Sequence, residues 1–314
     1  MIQYGQIMMT YRCSAACKHC LVMSSPKQES TRVTLDDAVE YGRDFQSLGR
    51  QVIIAGGEAL LFFNHVLAMC RALQEAGVPV AFIESNGSWC SSDQLTAKRL
   101  QMLHQSGVQG MYFSIDGYHQ EFVPAERVHR GVRIAREIFG SEQVIAPTVS
   151  LEDACLLETL AADPERLRQF TRALHLHWLG RAALDLAGFR DLVPLEELVQ
   201  QNCRTALDID NLKEVQVDPF GFVRPDICPG VNLGNTRQQR VSELCRTQRV
   251  RETPLLRGLS EQGPSALIPL ARRLGFAIQA QYVDKCHLCF DLRRQLVNYM
   301  PEEFGPKHLY EITI

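Results

Sequence analysis

From residue 1 to about 180, short apolar runs alternate with amphipathic stretches. The runs Ile2–Met9, Val52–Ala55, Val80–Ile83, Met111–Ile115, Val144–Val149 and Leu174–Leu179 are candidate strands. Between them, Leu35, Ala38, Val39, Phe45 and Leu48 follow helical spacing, with Thr34 and Asp37 as a start signal and Gly49 as a stop. Leu60, Phe63, Leu67, Cys70 and Leu73 make a second stripe that ends before Gly77. The pattern repeats from Leu95 to Leu103 before Gly107, and from Val128 to Phe139 before Gly140. Strands alternating with helices predict an α/β fold of parallel βα units.

After Arg190 the alternation stops. Asp218-Pro219-Phe220-Gly221 predicts a hairpin turn between Val215–Val217 and Phe222–Val223. A Gly/Pro-rich region carrying several cysteines follows. The reading is therefore two domains, 1–190 and 191–314, which suits 314 residues at roughly 100–200 per domain. No internal repeat or low-complexity segment breaks this picture.

Hydrophobic residues make up 46% and charged ones 22%, with a net charge of -3, so the profile is that of an ordinary globular protein. That balance offers no electrostatic footprint for nucleic acid and no polybasic membrane patch. The N-terminus lacks a basic, cleavable apolar signal, and the apolar run Ala59–Phe63 is far too short to span a bilayer. Eleven cysteines in a chain of this size and character read as metal ligands plus buried thiols. The expected compartment is a reducing cytoplasm.

Three of those cysteines change the picture most. Cys13, Cys17 and Cys20 form a CxxxCxxC triplet directly after the first apolar run. Three thiolates this close suit three irons of a four-iron cluster and leave the fourth iron open, where electron-transfer clusters use four cysteines. A structural zinc would be under-coordinated by three ligands. With this triplet the chain resembles the radical SAM superfamily, whose motif is CxxxCxΦC; His19 stands at the usually aromatic Φ position. The resemblance implies a partial (β/α)6 TIM-like barrel with the triplet on its first βα loop, at the mouth where barrel active sites are built. It implies that S-adenosylmethionine (SAM) binds the open iron of a [4Fe-4S] cluster.

Further motifs follow in the family's order. Gly56-Gly57-Glu58 resembles the GGE that holds the SAM amino group, and Ser85-Asn86-Gly87 resembles T-N-G. Ser114-Ile115-Asp116-Gly117 resembles S-x-D-G, and Gly180-Arg181-Ala182 resembles G-R-A. By resemblance the cofactor contacts are His19, Gly56, Gly57, Glu58, Asn86, Ser114, Asp116 and Arg181. Read alone, the Asn-Gly and Asp-Gly pairs are also ordinary turn chemistry, and Arg181 is also an ordinary surface arginine. Tyr118, His119, Glu121 and Arg127 follow the S-x-D-G loop as substrate-facing or surface residues.

Cys203, Cys228, Cys286 and Cys289 make a second set, in which the last two form a CxxC. Their surroundings resemble the SPASM/twitch group, and the resemblance implies an auxiliary [4Fe-4S] cluster. No further cysteines follow the CxxC, and Gly221 lies further before Cys228 than in the family pattern, so the shorter twitch module fits better. The same four thiolates also suit zinc. Cys70 reads as core; Cys90, Cys155 and Cys245 are left over, Cys245 as a substitute ligand or hydrogen donor.

The function implied is reductive cleavage of SAM to a 5′-deoxyadenosyl radical, hydrogen abstraction from a substrate, and a net oxidation or cross-link completed through the auxiliary cluster. A flavodoxin- or ferredoxin-type donor would supply the electron. The preferred substrate is a ribosomal peptide; with the first strand starting almost at Met1, such a peptide is expected to need a separate leader-binding protein or a groove in the barrel. The alternatives are a small-molecule dehydrogenase, a radical epimerase or methyl-transferring enzyme, and a non-catalytic zinc protein.

Overall fold

A computed structural model describes residues 2–146, 151–173 and 176–311. The chain divides into two compact units: a first of Ile2–Cys17 with Ser24–Ala173, and a second of Lys18–Met23 with Leu174–Thr313.

In the first unit the alternation becomes β1 (Tyr4–Met8), α1 (Leu35–Ser47), β2 (Gln51–Ala55), α2 (Phe63–Glu75), β3 (Val80–Ser85), α3 (Asp93–Gln105) and β4 (Met111–Phe113). There follow α4 (Gly117–Gln120), α5 (Ala125–Phe139), β5 (Val144–Ile145), α6 (Leu151–Ala162) and α7 (Pro164–Ala173). Neighbours β1–β2, β2–β3, β3–β4 and β4–β5 all pair in parallel. Parallel strands are covered on both faces, which is why Val52, Ile53, Ile54 and Ala55 are all buried in succession. Phe45 of α1, Met69 and Cys70 of α2, Leu100 and Leu103 of α3, and Val128 and Ala135 of α5 supply the covering layer. Each large apolar side chain so buried contributes about 1.5–3 kcal/mol.

The helix signals work as the sequence predicts. The Thr34 hydroxyl accepts from the Asp37 amide at 3.1 Å and satisfies one of the orphan donors of α1. Gly49 takes φ 72° just past its end. Cys70 is core, as expected, and burial pushes its thiol up to about 12.

Two expectations are corrected. The strand over Leu174–Leu179 is absent among the described residues: 176–179 are irregular, while 174 and 175 lie outside them. Likewise the fifth strand covers only Val144–Ile145, and 147–149 lie outside the described residues. Two helices, α6 and α7, fill the interval instead; Asp163-Pro164 divides them, because proline at a first helical turn starts a new helix.

In the second unit β6 (Val193–Pro194) pairs antiparallel with a late strand, Gln281–Tyr282. The predicted hairpin forms from β7 (Glu214–Val217) and β8 (Phe222–Pro225), with Val217 opposite Val223, and β9 (Gly234–Asn235) extends it. Asp218 shapes the turn: its carboxylate accepts from the Phe220 and Phe222 amides at 2.9 and 3.0 Å. It also pairs with the Arg224 guanidinium at 3.4 Å, both side chains being fully buried. The longest helices here are Pro254–Gln262 and Lys285–Leu296. No helix among the described residues is long and apolar enough to cross a membrane.

Candidate functional site

Parallel strands deliver their C-terminal ends to one edge of a sheet, so the loops after β1, β2, β3 and β4 emerge together in the first unit. The first carries Cys13 and Cys17, the second Gly56-Gly57-Glu58, the third Asn86 and Gly87, the fourth Ser114 to Gly117. The sequence motifs therefore share one edge because of strand direction alone.

Gly56 and Gly57 stitch the cysteine loop to β2. The Gly57 amide donates to the Thr10 carbonyl at 2.7 Å, and the Glu58 amide to the Arg12 carbonyl at 3.0 Å. A Cβ on Gly56 would lie 2.6 Å from the Thr10 oxygen, and one on Gly57 would lie 2.3 Å from the Arg12 oxygen. Only glycine permits this approach.

The Glu58 side chain points inward. It accepts from the Leu60 amide at 3.1 Å, the Asn86 amide at 2.7 Å, and the Ser85 hydroxyl at 3.0 and 3.1 Å. Burial pushes its carboxyl up to about 7, although these hydrogen bonds pull the other way. Its protein contact thus fixes the end of β3. From there the Asn86 side-chain Nδ2 donates to the Cys13 sulfur at 3.6 Å and to the Ser14 hydroxyl at 3.1 Å. The Ala15 amide adds a second N–H···S contact to Cys13 at 3.4 Å. Cys13 and Cys17 are both buried.

Asp116 caps α4. Its carboxylate accepts from the Tyr118 and His119 amides at 2.9 and 3.0 Å, and pairs with His119 Nδ1 at 2.8 Å. Ser114 is half-buried beside it, its amide donating to the Ser85 carbonyl at 2.9 Å. Tyr118 does not face solvent: it is fully buried and its hydroxyl bonds to that of Thr171. Arg127 turns to the Ser88 carbonyl at 2.8 Å. The Cys155 side chain lies outside the described residues.

His19 and Cys20 belong to the second unit and are half-buried. Gly180 takes φ 56°, and a Cβ there would lie 2.3 Å from the Cys20 carbonyl oxygen. The Arg181 amide donates to that same oxygen at 3.0 Å, and the Arg181 side chain is buried. Gly180-Arg181 is thus a backbone seat for the third cysteine of the triplet, a role its sequence motif does not announce. Nearby, burial raises the Asp185 carboxyl, against the pull of Arg181 and Lys18.

The second set of cysteines converges within the second unit. Asp284 caps the helix Lys285–Leu296 by accepting from the His287 amide at 2.8 Å, and places Cys286 and Cys289 on one face of its first turn. Cys203 is held through its amide by the Ser260 carbonyl at 3.1 Å, and Cys228 by the Pro225 carbonyl at 3.1 Å. The set is electrostatically linked: Cys286 feels Cys228, Cys289 and Cys203, Cys228 feels Cys289 and Cys203, and Cys203 feels Cys289. Burial pushes Cys203 up to about 11 and Cys228 to about 12, and raises Cys286 as well. Cys245 is buried but is not among the principal charges acting on these thiols.

Four thiolates at one site suit either a four-iron cluster or zinc, and ligation of either would deprotonate Cys203, Cys228 and Cys286, which burial otherwise holds protonated.

Arg293 completes this nest, and sequence reasoning misses it. It is 1% exposed, with Nε donating to the Cys289 carbonyl at 3.3 Å and a terminal nitrogen to the Pro229 carbonyl at 2.6 Å. The one signal for it is its position four residues after Cys289, on the same helix face.

Residues 7–141 match the sequence model of the Radical SAM superfamily. Over 113 residues the chain is 28% identical to the AdoMet-dependent heme synthase of Methanosarcina barkeri (strain Fusaro / DSM 804), a match spanning 36% of this chain. The chain thus spans about a third of that relative's length, 31%. Among solved structures, BtrN in complex with AdoMet and 2-DOIA is 17% identical with a TM-score of 0.49, over 84% of this chain and 89% of that one. The hexahistidine-tagged anSMEcpe with bound AdoMet is 14% identical with a TM-score of 0.39, over 96% and 94%.

Proposed function

On the match of residues 7–141 to the Radical SAM superfamily, we propose that this chain is a radical SAM enzyme and that it completes a net oxidation of its substrate through an auxiliary [4Fe-4S] cluster on Cys203, Cys228, Cys286 and Cys289. The observation that carries this reading is the convergence of those four cysteines within the second unit, where Cys228, Cys289 and Cys203 all act on Cys286. When bound at Cys13, Cys17 and Cys20, SAM and its cluster would supply a 5′-deoxyadenosyl radical for hydrogen abstraction, and a cluster held by Cys203, Cys228, Cys286 and Cys289 would take up the substrate's remaining electron, with the proton passing to solvent.

The chain's own part is positioning. Cys13, Cys17 and Cys20 would hold the SAM-binding cluster. Asn86 and the Ala15 amide donate to the Cys13 sulfur, and hydrogen bonds to sulfur tune such a cluster. The carbonyls and amides around Gly56 and Gly57 lie where only backbone fits and offer a rigid surface to SAM. In the second unit four protein thiolates would fill every iron corner, leaving that cluster to move electrons rather than bind substrate. As substrate class we propose a peptide, with a flavodoxin- or ferredoxin-type donor as the source of the electron.

The test is anaerobic reconstitution of the protein with Cys286 and Cys289 both changed to Ala. It should lose about half of its iron, keep uncoupled formation of 5′-deoxyadenosine, and lose oxidised product. Iron content equal to that of the parent would show that these thiols are not ligands.

A further inference from the structure

Arg293 poses an electrostatic problem that its own surroundings do not solve. A guanidinium stays charged at any physiological pH, and a buried charge is costly unless it is paired. Arg293 is 1% exposed, yet its hydrogen bonds go to neutral groups: the carbonyls of Cys289 and Pro229, and the Tyr310 hydroxyl at 3.4 Å. No carboxylate pairs with it among the described residues. The groups that favour its charge are Tyr310, Cys289 and Cys228.

The carbonyls that Arg293 binds belong to Cys289 and to Pro229, the neighbour of Cys228, so the charge sits between two of the proposed ligands. An iron–sulfur cluster on four thiolates is an anion, and reduction adds a further negative charge. Such a cluster would supply the negative partner for Arg293. We propose that Arg293 is the built-in counter-charge of the auxiliary cluster, raising its reduction potential so that it accepts an electron from substrate. This rests on the cluster reading given above. The geometry adds a second effect. By binding the Cys289 carbonyl and that of Pro229, next to Cys228, the guanidinium ties two ligand-bearing segments together. Its contacts are with protein groups, the Cys289 and Pro229 carbonyls and the Tyr310 hydroxyl, so its role is that of a positioning and tuning residue. Its charge acts through a dry interior, where a cation is weakly screened.

The experiment uses the full chain with Cys13, Cys17 and Cys20 changed to Ala, so that any remaining cluster is the auxiliary one. Its midpoint is read by potentiometric titration followed by electron paramagnetic resonance. Arg293→Gln should lower the reduced-to-oxidised ratio at the parent's midpoint at least tenfold, about 59 mV for a one-electron couple. Arg293→Lys keeps the charge and loses the fork. It should titrate near the parent while retaining iron less firmly. An unchanged midpoint in Arg293→Gln, or an equal shift in both variants, overturns the proposal. If Arg293→Gln retains no iron, Arg293→Lys decides: iron with the parent's midpoint supports the proposal, and loss of iron in both overturns it. Absence of iron from the triple-Ala parent itself would sink the cluster reading, a separate and recognisable failure.

Discussion

Cys13 and Cys17 sit in one loop that backbone contacts hold in place, whereas Cys203, Cys228, Cys286 and Cys289 come from three distant stretches that only tertiary folding brings together. The charged groups buried beside them also differ. Near Cys13 it is a carboxyl, Glu58, pushed up to about 7 and acting through Asn86. Beside the second set it is a guanidinium with no carboxylate partner among the described residues. The first site is local in sequence and supported by motifs. The second is assembled from separate segments, with the Asp284 cap and the Arg293 guanidinium among the contacts that hold it. A local site can be recognised from spacing; an assembled one must be recognised from what surrounds it.

The comparison breaks most sharply on the triplet. Changing Cys13, Cys17 and Cys20 together to Ala should abolish 5′-deoxyadenosine formation and leave the iron of the second unit in place. Unchanged product from SAM in that variant would refute the assignment of the two sites.

Glu58 gives the next largest effect. Its folded-state value lies above that of the unfolded chain, so its contribution to stability is fully present below about pH 4.5 and is lost as pH rises through about 7. At one pKa unit per 1.36 kcal/mol, the loss is about 3 kcal/mol. Urea unfolding near pH 5 and near pH 8 should show that loss in the parent and not in Glu58→Gln. Equal pH dependence in the two proteins would mean that Glu58 titrates as an ordinary carboxylate.

Two glycines sharpen the contrast between a functional contact and a plain turn. Gly180→Ala sets a Cβ 2.3 Å from the Cys20 oxygen and should cost about 2 kcal/mol while lowering SAM cleavage. Gly49→Ala, at φ 72° with nothing within 4 Å, should cost about 1 kcal/mol and leave cleavage unchanged. Equal losses of activity in the two would show that Gly180 is no seat for the cysteine.

Much of this is legible from residue order. The βα alternation, the Thr34 cap, the Gly49 stop and the Asp218–Gly221 turn are local effects, and local chemistry states them directly. The strand expected over Leu174–Leu179 fails because a short apolar run carries no mark of whether a neighbouring strand will pair with it. Tyr118 looks like a loop residue because its partner, Thr171, lies 53 positions away. The inward turn of Glu58 and the burial of Arg293 depend on partners equally remote in sequence, and both side chains ordinarily read as solvated.

The placement of Cys286 and Cys289 on a helix so late in the chain has a consequence for biosynthesis. A ribosome releases Cys13 to Cys20 early, and Cys203 and Cys228 well before the helix Lys285–Leu296 emerges. Until that helix emerges and docks, Cys203 and Cys228 lack the two sulfurs that would complete the proposed cluster. Loading of that cluster would therefore follow the making of this helix, and the yield of loaded protein should hinge on how well the nascent polypeptide is kept anoxic and supplied with iron.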